Sequence, residues 1–331
     1  MNLYSMQPLV SFTPHIAGKL LDHGHKIVVT GATGWLGQTT LEMLVAAFGR
    51  DFGNRVIAIG SHEHVLTLSN GVRVQVIALE AARGAGVGES AILFHYAFLT
   101  KDKVPNHSAK DYSALNRKIS ETVRSWIEEG RIRGVMMPSS GAIYDCLHGD
   151  RRDSHAVPYG CLKLEDEETF SKSCRSVASR LAMPRVFNLS GPYINKFETY
   201  ALSSIIVDVL HGGPIRLRAD HLVLRSYVYV GDVIEICVRW LLQENDQLKI
   251  IFDTVGQEVV EVGDLARRVA IVLSGNALKM ERPAITESRV DRYVGDDAEQ
   301  QALCETLGYK FIGLDDQIRR TALYIRRCLQ S

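Results

Sequence analysis

The chain has 331 residues, of which 46% are hydrophobic, enough to bury a large core in one big domain or two lobes. Lysine plus arginine and aspartate plus glutamate both total 38, so no net charge favours nucleic acid or an anionic membrane. Residues 1–25 lack the features of a signal peptide, and no stretch approaches the roughly 20 apolar residues that span a bilayer. These observations predict a soluble, cytoplasmic protein that binds neither nucleic acid nor membrane.

The cysteines indicate neither a metal site nor a disulfide framework. None forms a C-x-x-C pair or lies in a histidine cluster, which favours reduced thiols and predicts no bound metal. A single cysteine is also more often a packing residue than a nucleophile. The six are Cys146, Cys161, Cys174, Cys237, Cys304 and Cys328.

Short apolar runs alternate with helical patterns from Lys26 to about residue 190. Apolar residues recur every three or four positions within 41–48 and 115–127, which predicts helices, and Pro158 suits the start of another. Such alternation is typical of α/β proteins, so we predict a Rossmann-like, doubly wound parallel sheet. The predicted strands are residues 27–30, 55–59, 72–79, 92–98, 135–137 and 185–189.

The alternation loosens after Gly191-Pro192, although residues 249–255 again have the pattern of a sheet strand. We therefore predict that a smaller C-terminal lobe interleaves with the first domain. The predicted organisation is an N-terminal extension (1–25), a dinucleotide-binding domain (26–191, with the strand at 249–255) and a substrate lobe that forms most of 192–331.

A glycine-rich turn of the form G-x-x-G-x-x-G joins the first predicted strand to the first helix. Glycine allows the tight turn, the close approach of a pyrophosphate and close helix–strand packing. The helix start adds unpaired N–H groups and the positive end of its dipole. The turn predicts a dinucleotide site, whose residues are Gly31, Thr33, Gly34, Trp35, Leu36 and Gly37.

The second predicted strand does not end in the acidic residue that would bind the ribose 2′-hydroxyl of NAD. It continues as Gly60-Ser61-His62, and Glu63 comes slightly late. Ser61 leaves room for a 2′-phosphate, which His62 or Arg55 would approach. We therefore expect NADP or NAD as cofactor, lean to NADP, and assign Ser61 to the cofactor site.

Tyr159 and Lys163 lie four residues apart at the start of a predicted helix, so their side chains share a face. A free tyrosine has a pKa near 10, whereas a general base works best near 7. That gap is about 4 kcal/mol, which an ammonium about 4 Å away supplies at an effective dielectric of about 20. We expect Lys163 to lower the pKa of Tyr159, which then exchanges a proton with a sugar hydroxyl or ketone.

Residues 137–144 follow a predicted strand and read Met-Pro-Ser-Ser-Gly-Ala-Ile-Tyr. With the glycine turn and the Tyr-x-x-x-Lys pair, this segment resembles the extended short-chain dehydrogenase/reductases. The resemblance implies that Ser140 hydrogen-bonds the reacting oxygen, that Asn116 supports the site, and that His95 and Ala97 line the cofactor cleft. The simpler alternatives are that Asn116 only bonds nearby backbone and that His95 is a packed core residue.

The second half resembles the nucleotide-sugar branch of that superfamily, the NAD-dependent epimerase/dehydratases. Residues 185–192 are similar to its R-x-F-N-x-x-G-P segment and 225–232 to its R-x-Y-x-x-V-x-D segment. The resemblance implies that Asn188 and Arg225 bind the substrate diphosphate, for which a planar guanidinium is suited, and that Tyr293 contacts substrate.

The chain departs from the dehydratase subgroup after Ser140, where Gly141-Ala142 replace an Asp-Glu pair. Without those carboxylates the elimination of water lacks its acid and base, which disfavours 4,6-dehydration. We therefore predict an epimerase or 4-ketoreductase of nucleotide-sugars, and the resemblance implies a homodimer. A reductase of apolar ketones or steroids and a non-catalytic dinucleotide-binding regulator are the alternatives.

Overall fold

The structure is a computed structural model that describes residues 7–85, 90–100, 108–147, 159–286 and 288–330. The helices are α1 (Pro14–Asp22), α2 (Trp35–Phe48), α3 (Phe52–Arg55), α4 (Ala109–Glu128), α5 (Ile143–Leu147), α6 (Tyr159–Ser176), α7 (Ala201–Leu210), α8 (Val230–Leu241), α9 (Val262–Ser274), α10 (Ala298–Leu307) and α11 (Leu314–Gln330). The strands are β1 (Lys26–Thr30), β2 (Val56–Gly60), β3 (His64–Thr67), β4 (Arg73–Ala78), β5 (Ala91–His95), β6 (Ile132–Met136), β7 (Ser139–Ser140), β8 (Arg180–Val186), β9 (Leu189–Ser190), β10 (Ile215–Arg216), β11 (Leu222–Arg225), β12 (Val228–Tyr229), β13 (Lys249–Asp253), β14 (Val260–Glu261), β15 (Met280–Glu281) and β16 (Val290–Tyr293).

The main sheet confirms the predicted doubly wound architecture. Its strand order is β13-β8-β6-β5-β1-β2-β4-β3, and β7 pairs beside β8. The pairs are parallel except that β3 runs antiparallel to β4 at the edge, a strand that the sequence analysis missed. The strand order reverses at β1, between β2 and β5, and ligands of such sheets bind beyond the carboxyl ends of the strands at this point.

Helices cover both faces of the middle of the sheet, which explains why the central strands β1 and β5 are almost entirely apolar and buried. Val28 packs in a cluster with α4 and α6 residues such as Trp126 and Phe170, whereas Ile27 and Val29 pack with residues of α1, α2 and α8. A parallel sheet that is buried on both faces needs such continuous apolar strands. The helices thereby hold the carboxyl ends of β1, β5 and β6 at one edge.

The N-terminal extension, unexplained by the sequence, forms α1 and packs on α2 and α8. Its apolar face buries Ile16 and Leu20. Thr13 donates to the carboxylate of buried Glu235 from its backbone nitrogen at 3.1 Å and its hydroxyl at 2.6 Å. Because buried carboxylates need hydrogen-bond partners, the extension satisfies polar groups of the domain as well as covering apolar surface.

A second core lies among α7, α9 and α11, helices of the C-terminal part of the chain. The predicted strand near 249–255 is confirmed as β13, which pairs with β8 in the main sheet. The second core is therefore interleaved with the first along the chain. Among the residues described, no helix has the length and apolar character to cross a membrane.

Candidate active site

The glycine turn leaves β1 at Thr30 and enters α2 at Trp35. Gly31 has a φ of +67°, and a Cβ there would lie 2.6 Å from the carbonyl carbon of Tyr96. A Cβ on Gly37 would lie 2.2 Å from the carbonyl oxygen of Gly31. Because only glycine fits both positions, the backbone of the turn stays uncovered by its own side chains and suits a pyrophosphate.

The start of α2 has the features of a phosphate site. Its N-cap, Gly34, provides no side-chain hydrogen bond to the first turn, so the side chain that usually caps a helix is missing here. Trp35 packs against both cores and donates from its indole nitrogen to the carbonyl oxygen of Pro192 at 2.7 Å, while Leu36 packs against the first core. Thr33 accepts a hydrogen bond at its carbonyl oxygen from Gln38.

His95 is a packed residue at the end of β5. Its Nδ1 lies 2.8 Å from the hydroxyl of Thr30, and its ring stacks on Phe170 of α6. Burial lowers the pKa of His95 to about 3, helped by the charge of Lys163, so the ring is neutral near pH 7. These contacts agree with the simpler alternative of a packed core residue, and the expectation that His95 lines the cofactor cleft stays a prediction. The next residues do line the turn, since Ala97 donates from its backbone nitrogen to Thr30 at 3.3 Å.

The groups expected around a 2′-phosphate do not converge. Arg55 lies before β2 and donates to the carbonyl oxygens of Leu20 at 3.0 Å and His25 at 3.1 Å. Ser61 comes directly after the last residue of β2, so about 20 Å of extended strand separates it from Arg55. Its hydroxyl lies 3.0 Å from Nδ1 of His62. The prediction that Arg55 approaches the cofactor was wrong, because carbonyl oxygens of α1 and of the loop between α1 and β1 bind its guanidinium.

Ser140 lies between two tyrosine hydroxyl groups. It ends β7, is 7% exposed, and accepts a hydrogen bond from the backbone nitrogen of Ala142 at 3.2 Å. Burial raises the pKa of Tyr159, and a hydrogen bond with Ser140 opposes that rise. Burial also raises the pKa of Tyr293 to about 12, again opposed by a hydrogen bond with Ser140. The structure thus brings the predicted residues Ser140, Tyr159 and Tyr293 together.

Lys163 shares the face of α6 with Tyr159 but does not acidify it. Its ammonium donates to the carbonyl oxygen of Pro138 at 3.1 Å and lies 3.9 Å from the centroid of the Phe98 ring. Burial lowers the pKa of Lys163 to about 8, against the charges of Asp166 and Glu167. Since the net shift of Tyr159 is upward, the predicted acidification by Lys163 is not found.

Phe98 is a site residue that the sequence analysis missed. Its ring meets the ring of Tyr159 edge-on at 5.6 Å and also covers Lys163. The signal was its position directly after the His95-Tyr96-Ala97 segment, where β5 ends. Tyr200 contributes to the raised pKa of Tyr159, and its ring is tilted against the ring of Trp35 with the centroids 5.7 Å apart. It belongs to no sequence motif that could have identified it.

Asn116 is bonded to nearby backbone, as the simpler alternative proposed. Its carboxamide oxygen accepts from the backbone nitrogen of Leu99 at 2.8 Å, and its nitrogen donates to the carbonyl oxygen of Tyr112 at 3.2 Å. It is 1% exposed. These bonds attach the chain after β5 to α4, and hence position Phe98.

The predicted diphosphate residues lie at the junction of the two cores. Asn188 donates from its side chain to the carbonyl oxygen of Tyr293 at 3.1 Å. Arg225 of β11 lies opposite Tyr293 in the neighbouring strand β16. Its guanidinium donates to the carboxylate oxygens of Asp291 at 2.7 Å and 3.2 Å. Asp291 has a lowered pKa, chiefly because of its hydrogen bond with Arg225. The arginine therefore already binds an anionic group of this chain.

Two cysteines that we expected to be reduced form a disulfide. Cys146 of α5 is bonded to Cys161 of α6. The prediction was wrong because cysteines fifteen residues apart show no spacing motif, and only the packing of α5 on α6 brings them together. Pro158, expected to open this helix, lies outside the described residues.

A parallel sheet with a glycine phosphate turn and a Ser-Tyr-Lys arrangement defines the class of dinucleotide-dependent short-chain dehydrogenase/reductase enzymes. The model of the NAD dependent epimerase/dehydratase family matches residues 27–254, and the chain belongs to this family. It is an NAD-dependent enzyme of the extended short-chain dehydrogenase/reductase type. Comparison with curated protein sequences gives no significant match.

Solved structures of similar fold include several nucleotide-sugar enzymes. UDP-N-acetylglucosamine 4-epimerase from Methanobrevibacter ruminantium, in complex with UDP-N-acetylmuramic acid, is 18% identical with a TM-score of 0.68, over 93% of this chain and 99% of that one. A UDP-glucuronic acid 4-epimerase variant from Bacillus cereus, with NAD and a fluorinated substrate, is 16% identical with a TM-score of 0.68, over 92% and 99%. An NAD-dependent NDP-hexosamine 5,6-dehydratase of tunicamycin biosynthesis is 18% identical with a TM-score of 0.67, over 91% and 98%.

Proposed function

We propose that the protein is an NAD-dependent nucleotide-sugar epimerase or 4-ketoreductase that acts at C4 of the sugar. The observation that carries the proposal is that Tyr159, which lies near Ser140, and Lys163 on the same helix face both contact the ring of Phe98 at the end of β5. Gly141 and Ala142 follow Ser140, so the carboxylates that a 4,6-dehydratase would use there are missing from those positions. This favours proton and hydride exchange over elimination of water.

The glycine turn would hold the pyrophosphate of NAD, because side chains at Gly31 and Gly37 would collide with backbone atoms. Bound NAD supplies the carbon that accepts and returns the hydride, and a positive charge in its oxidised form. We propose NAD as the cofactor, since structures of similar fold contain it. NADP is less favoured because Arg55, which was expected to bind the 2′-phosphate, is bound to the carbonyl oxygen of Leu20 instead.

In the proposed mechanism Tyr159 removes the proton of the sugar hydroxyl and returns it to the ketone oxygen. Ser140 hydrogen-bonds the same oxygen and holds it beside the phenol. Lys163 holds the nicotinamide ribose, and the hydrogen bond with Ser140 opposes the upward shift that burial imposes on the pKa of Tyr159. Asn188, Arg225 and Tyr293 bind the substrate.

The test is to incubate the protein with NAD and a panel of UDP-sugars, and separately with NADH and UDP-4-keto sugars, and to follow C4 configuration by proton NMR, with native mass spectrometry of bound species. We expect interconversion of at least one pair of C4 epimers, or reduction of a 4-keto sugar. Turnover of apolar ketones alone would support the rival reductase, and cofactor binding without nucleotide-sugar binding would support the regulator. The proposed homodimer, through α4 and α6, is testable by the mass of the native protein.

Removing either member of the Arg225–Asp291 pair should change the affinity for UDP, in opposite directions. We propose that the substrate diphosphate displaces Asp291 from Arg225, whose side chain is 20% exposed, against 42% for Asp291. Asp291→Asn should then tighten UDP binding by about tenfold, which corresponds to about 1.4 kcal/mol. Arg225→Ala should weaken it by more than about tenfold, because the diphosphate loses a bidentate donor.

Both affinities are measured by calorimetry with UDP, and uridine is the control ligand without phosphate. Its affinity should change little in either variant. Weaker UDP binding by Asp291→Asn would contradict displacement and would instead assign Asp291 the role of orienting Arg225.

A further inference from the structure

The Cys146–Cys161 disulfide joins the two segments that carry the candidate catalytic residues. Cys146 lies in α5, six residues after Ser140, and Cys161 lies in α6, two residues after Tyr159. Their Cα atoms are 5.4 Å apart, a usual separation for a disulfide. Both cysteines are half-buried, so a small thiol can reach the bond.

The other cysteines differ in position and reactivity. Cys174 and Cys237 are buried, and burial raises the pKa of the Cys174 thiol to about 12. Burial also raises the pKa of Cys304 to about 11, and Cys328 is exposed near the end of α11. The thiolate is the reactive form of cysteine, so the thiols with raised pKa values react slowly. The Cys146–Cys161 pair therefore differs from the other cysteines, which are either unreactive or lie away from the candidate catalytic residues in the chain.

The bond lies where a small movement changes the catalytic geometry. A Cβ on Gly160 would lie 2.2 Å from the carbonyl oxygen of Ala142, so the start of α6 packs directly on the chain that follows Ser140. The backbone nitrogen of Ala142 in turn donates to the Ser140 hydroxyl at 3.2 Å. The disulfide therefore restrains the contact through which Ser140 and Tyr159 are placed.

We propose that Cys146 and Cys161 form a thiol–disulfide exchange site that takes a small dithiol as reductant and sets the activity of the adjacent active site. The catalytic part of this proposal rests on the proposed function. In a cytoplasmic protein, the compartment that the sequence predicts, disulfides are usually transient or redox-sensing rather than structural.

The position of Cys161 gives the exchange a direction. Cys161 is the third residue of α6, where the positive end of the helix dipole stabilises a thiolate. Cys146 directly follows Asp145, whose negative charge disfavours a thiolate there. Cys161 is therefore the better leaving group. An incoming thiolate attacks the sulfur of Cys146, the S–S bond breaks, and Cys161 leaves as thiolate and takes up a proton. The second thiol of the dithiol then displaces Cys146 from the mixed disulfide. The dithiol is oxidised to its disulfide, and two electrons and two protons end on the two cysteines.

The first measurement counts thiols in the denatured full-length protein before and after treatment with dithiothreitol. We expect four thiols before reduction, those of the free cysteines, and six after it. A non-reduced digest should contain the linked Cys146 and Cys161 peptides. Six thiols in protein equilibrated with oxidised glutathione would overturn the site.

The second measurement compares turnover of the oxidised and reduced protein. We expect reduction to lower kcat by about tenfold or more, because a shift of about 1 Å between catalytic groups can cost about a hundredfold, and reoxidation to restore it. Cys146→Ser should have the low kcat without responding to dithiol. Cys328→Ser is the matched control and should respond as the wild type does. Equal kcat values in the two redox states of the wild type would overturn the link to catalysis. This comparison needs no variant, so it remains decisive if Cys146→Ser fails to fold.

A third measurement separates this proposal from the proposed function. If neither redox state turns over any nucleotide-sugar, the proposed function fails. NADH affinity, followed by fluorescence, then tests the coupling, because Tyr159 and Lys163 begin the helix that Cys161 anchors. We expect weaker NADH binding after reduction, and equal affinity in both states would overturn the proposal.

Discussion

Tyr159→Phe is expected to lower kcat by about a hundredfold to ten thousandfold, the usual contribution of a positioned acid or base. The phenol hydrogen-bonds Ser140 and faces Phe98, so the variant loses one hydroxyl and retains the packing of its ring. NAD binding should remain within a fewfold of the wild type, since the glycine turn and Lys163 are unchanged. Steady-state kinetics and NADH fluorescence titration measure the two effects.

Tyr293→Phe is the matched control for this prediction, because it removes the other hydroxyl that bonds Ser140. It should raise KM more than it lowers kcat, as expected of a substrate-binding residue rather than the proton-transfer group. Turnover of Tyr159→Phe close to the wild-type rate would refute the assigned role. A larger loss of kcat in Tyr293→Phe than in Tyr159→Phe would exchange the two roles.

Lys163→Met is expected to change activity and stability in opposite directions. The pKa of Lys163 falls from 10.5 to about 8 in the folded protein, chiefly through burial. At about 1.36 kcal/mol per unit, its charged form destabilises the fold by about 3 kcal/mol below pH 8. The loss of the hydrogen bond to Pro138 offsets about 1–2 kcal/mol of the gain. We expect the variant to be about 1–2 kcal/mol more stable at pH 7 and to lose most of its kcat.

The pH dependence follows from the same shift. Between pH 8 and 10.5 the side chain of Lys163 is protonated in the unfolded chain but not in the folded one. The free energy of unfolding of the wild type therefore rises with pH in this range. The stability advantage of Lys163→Met should therefore decrease from pH 8 by about 1.36 kcal/mol per pH unit and be lost near pH 9. Denaturant unfolding at several pH values measures it, with Lys172→Met, an exposed lysine of the same helix, as control. A pH-independent difference between Lys163→Met and the wild type would show that the lysine is not buried as a charge.

The motifs with local backbone requirements were predictable from the sequence. Gly31 and Gly37 are glycines because adjacent backbone leaves no space for a side chain, and this requirement is visible in the spacing of the turn. Tyr159 and Lys163 share a helix face because of the helical period. The order of strands and helices likewise predicted the sheet, including a last strand near residues 249–255, which the structure places beside β8 as β13.

Contacts between distant segments were not predictable in this way. Arg225 was expected to be free for a diphosphate, yet β16 brings Asp291 to it from 66 residues further along the chain. Lys163 was expected to acidify Tyr159, yet the end of β5 places Phe98 beside the ammonium. Cys146 and Cys161 gave no signal until α5 packed on α6.

The sequence by itself determined the class of sheet, the glycine turn and the placement of Tyr159 and Lys163 on one helix face, because each depends on a short stretch of chain with a strict steric or periodic requirement. Only the tertiary structure decided the lowered pKa of Lys163, the partner of Arg225 and the disulfide. Those properties depend on burial and on groups that separate elements bring within a few ångströms of one another.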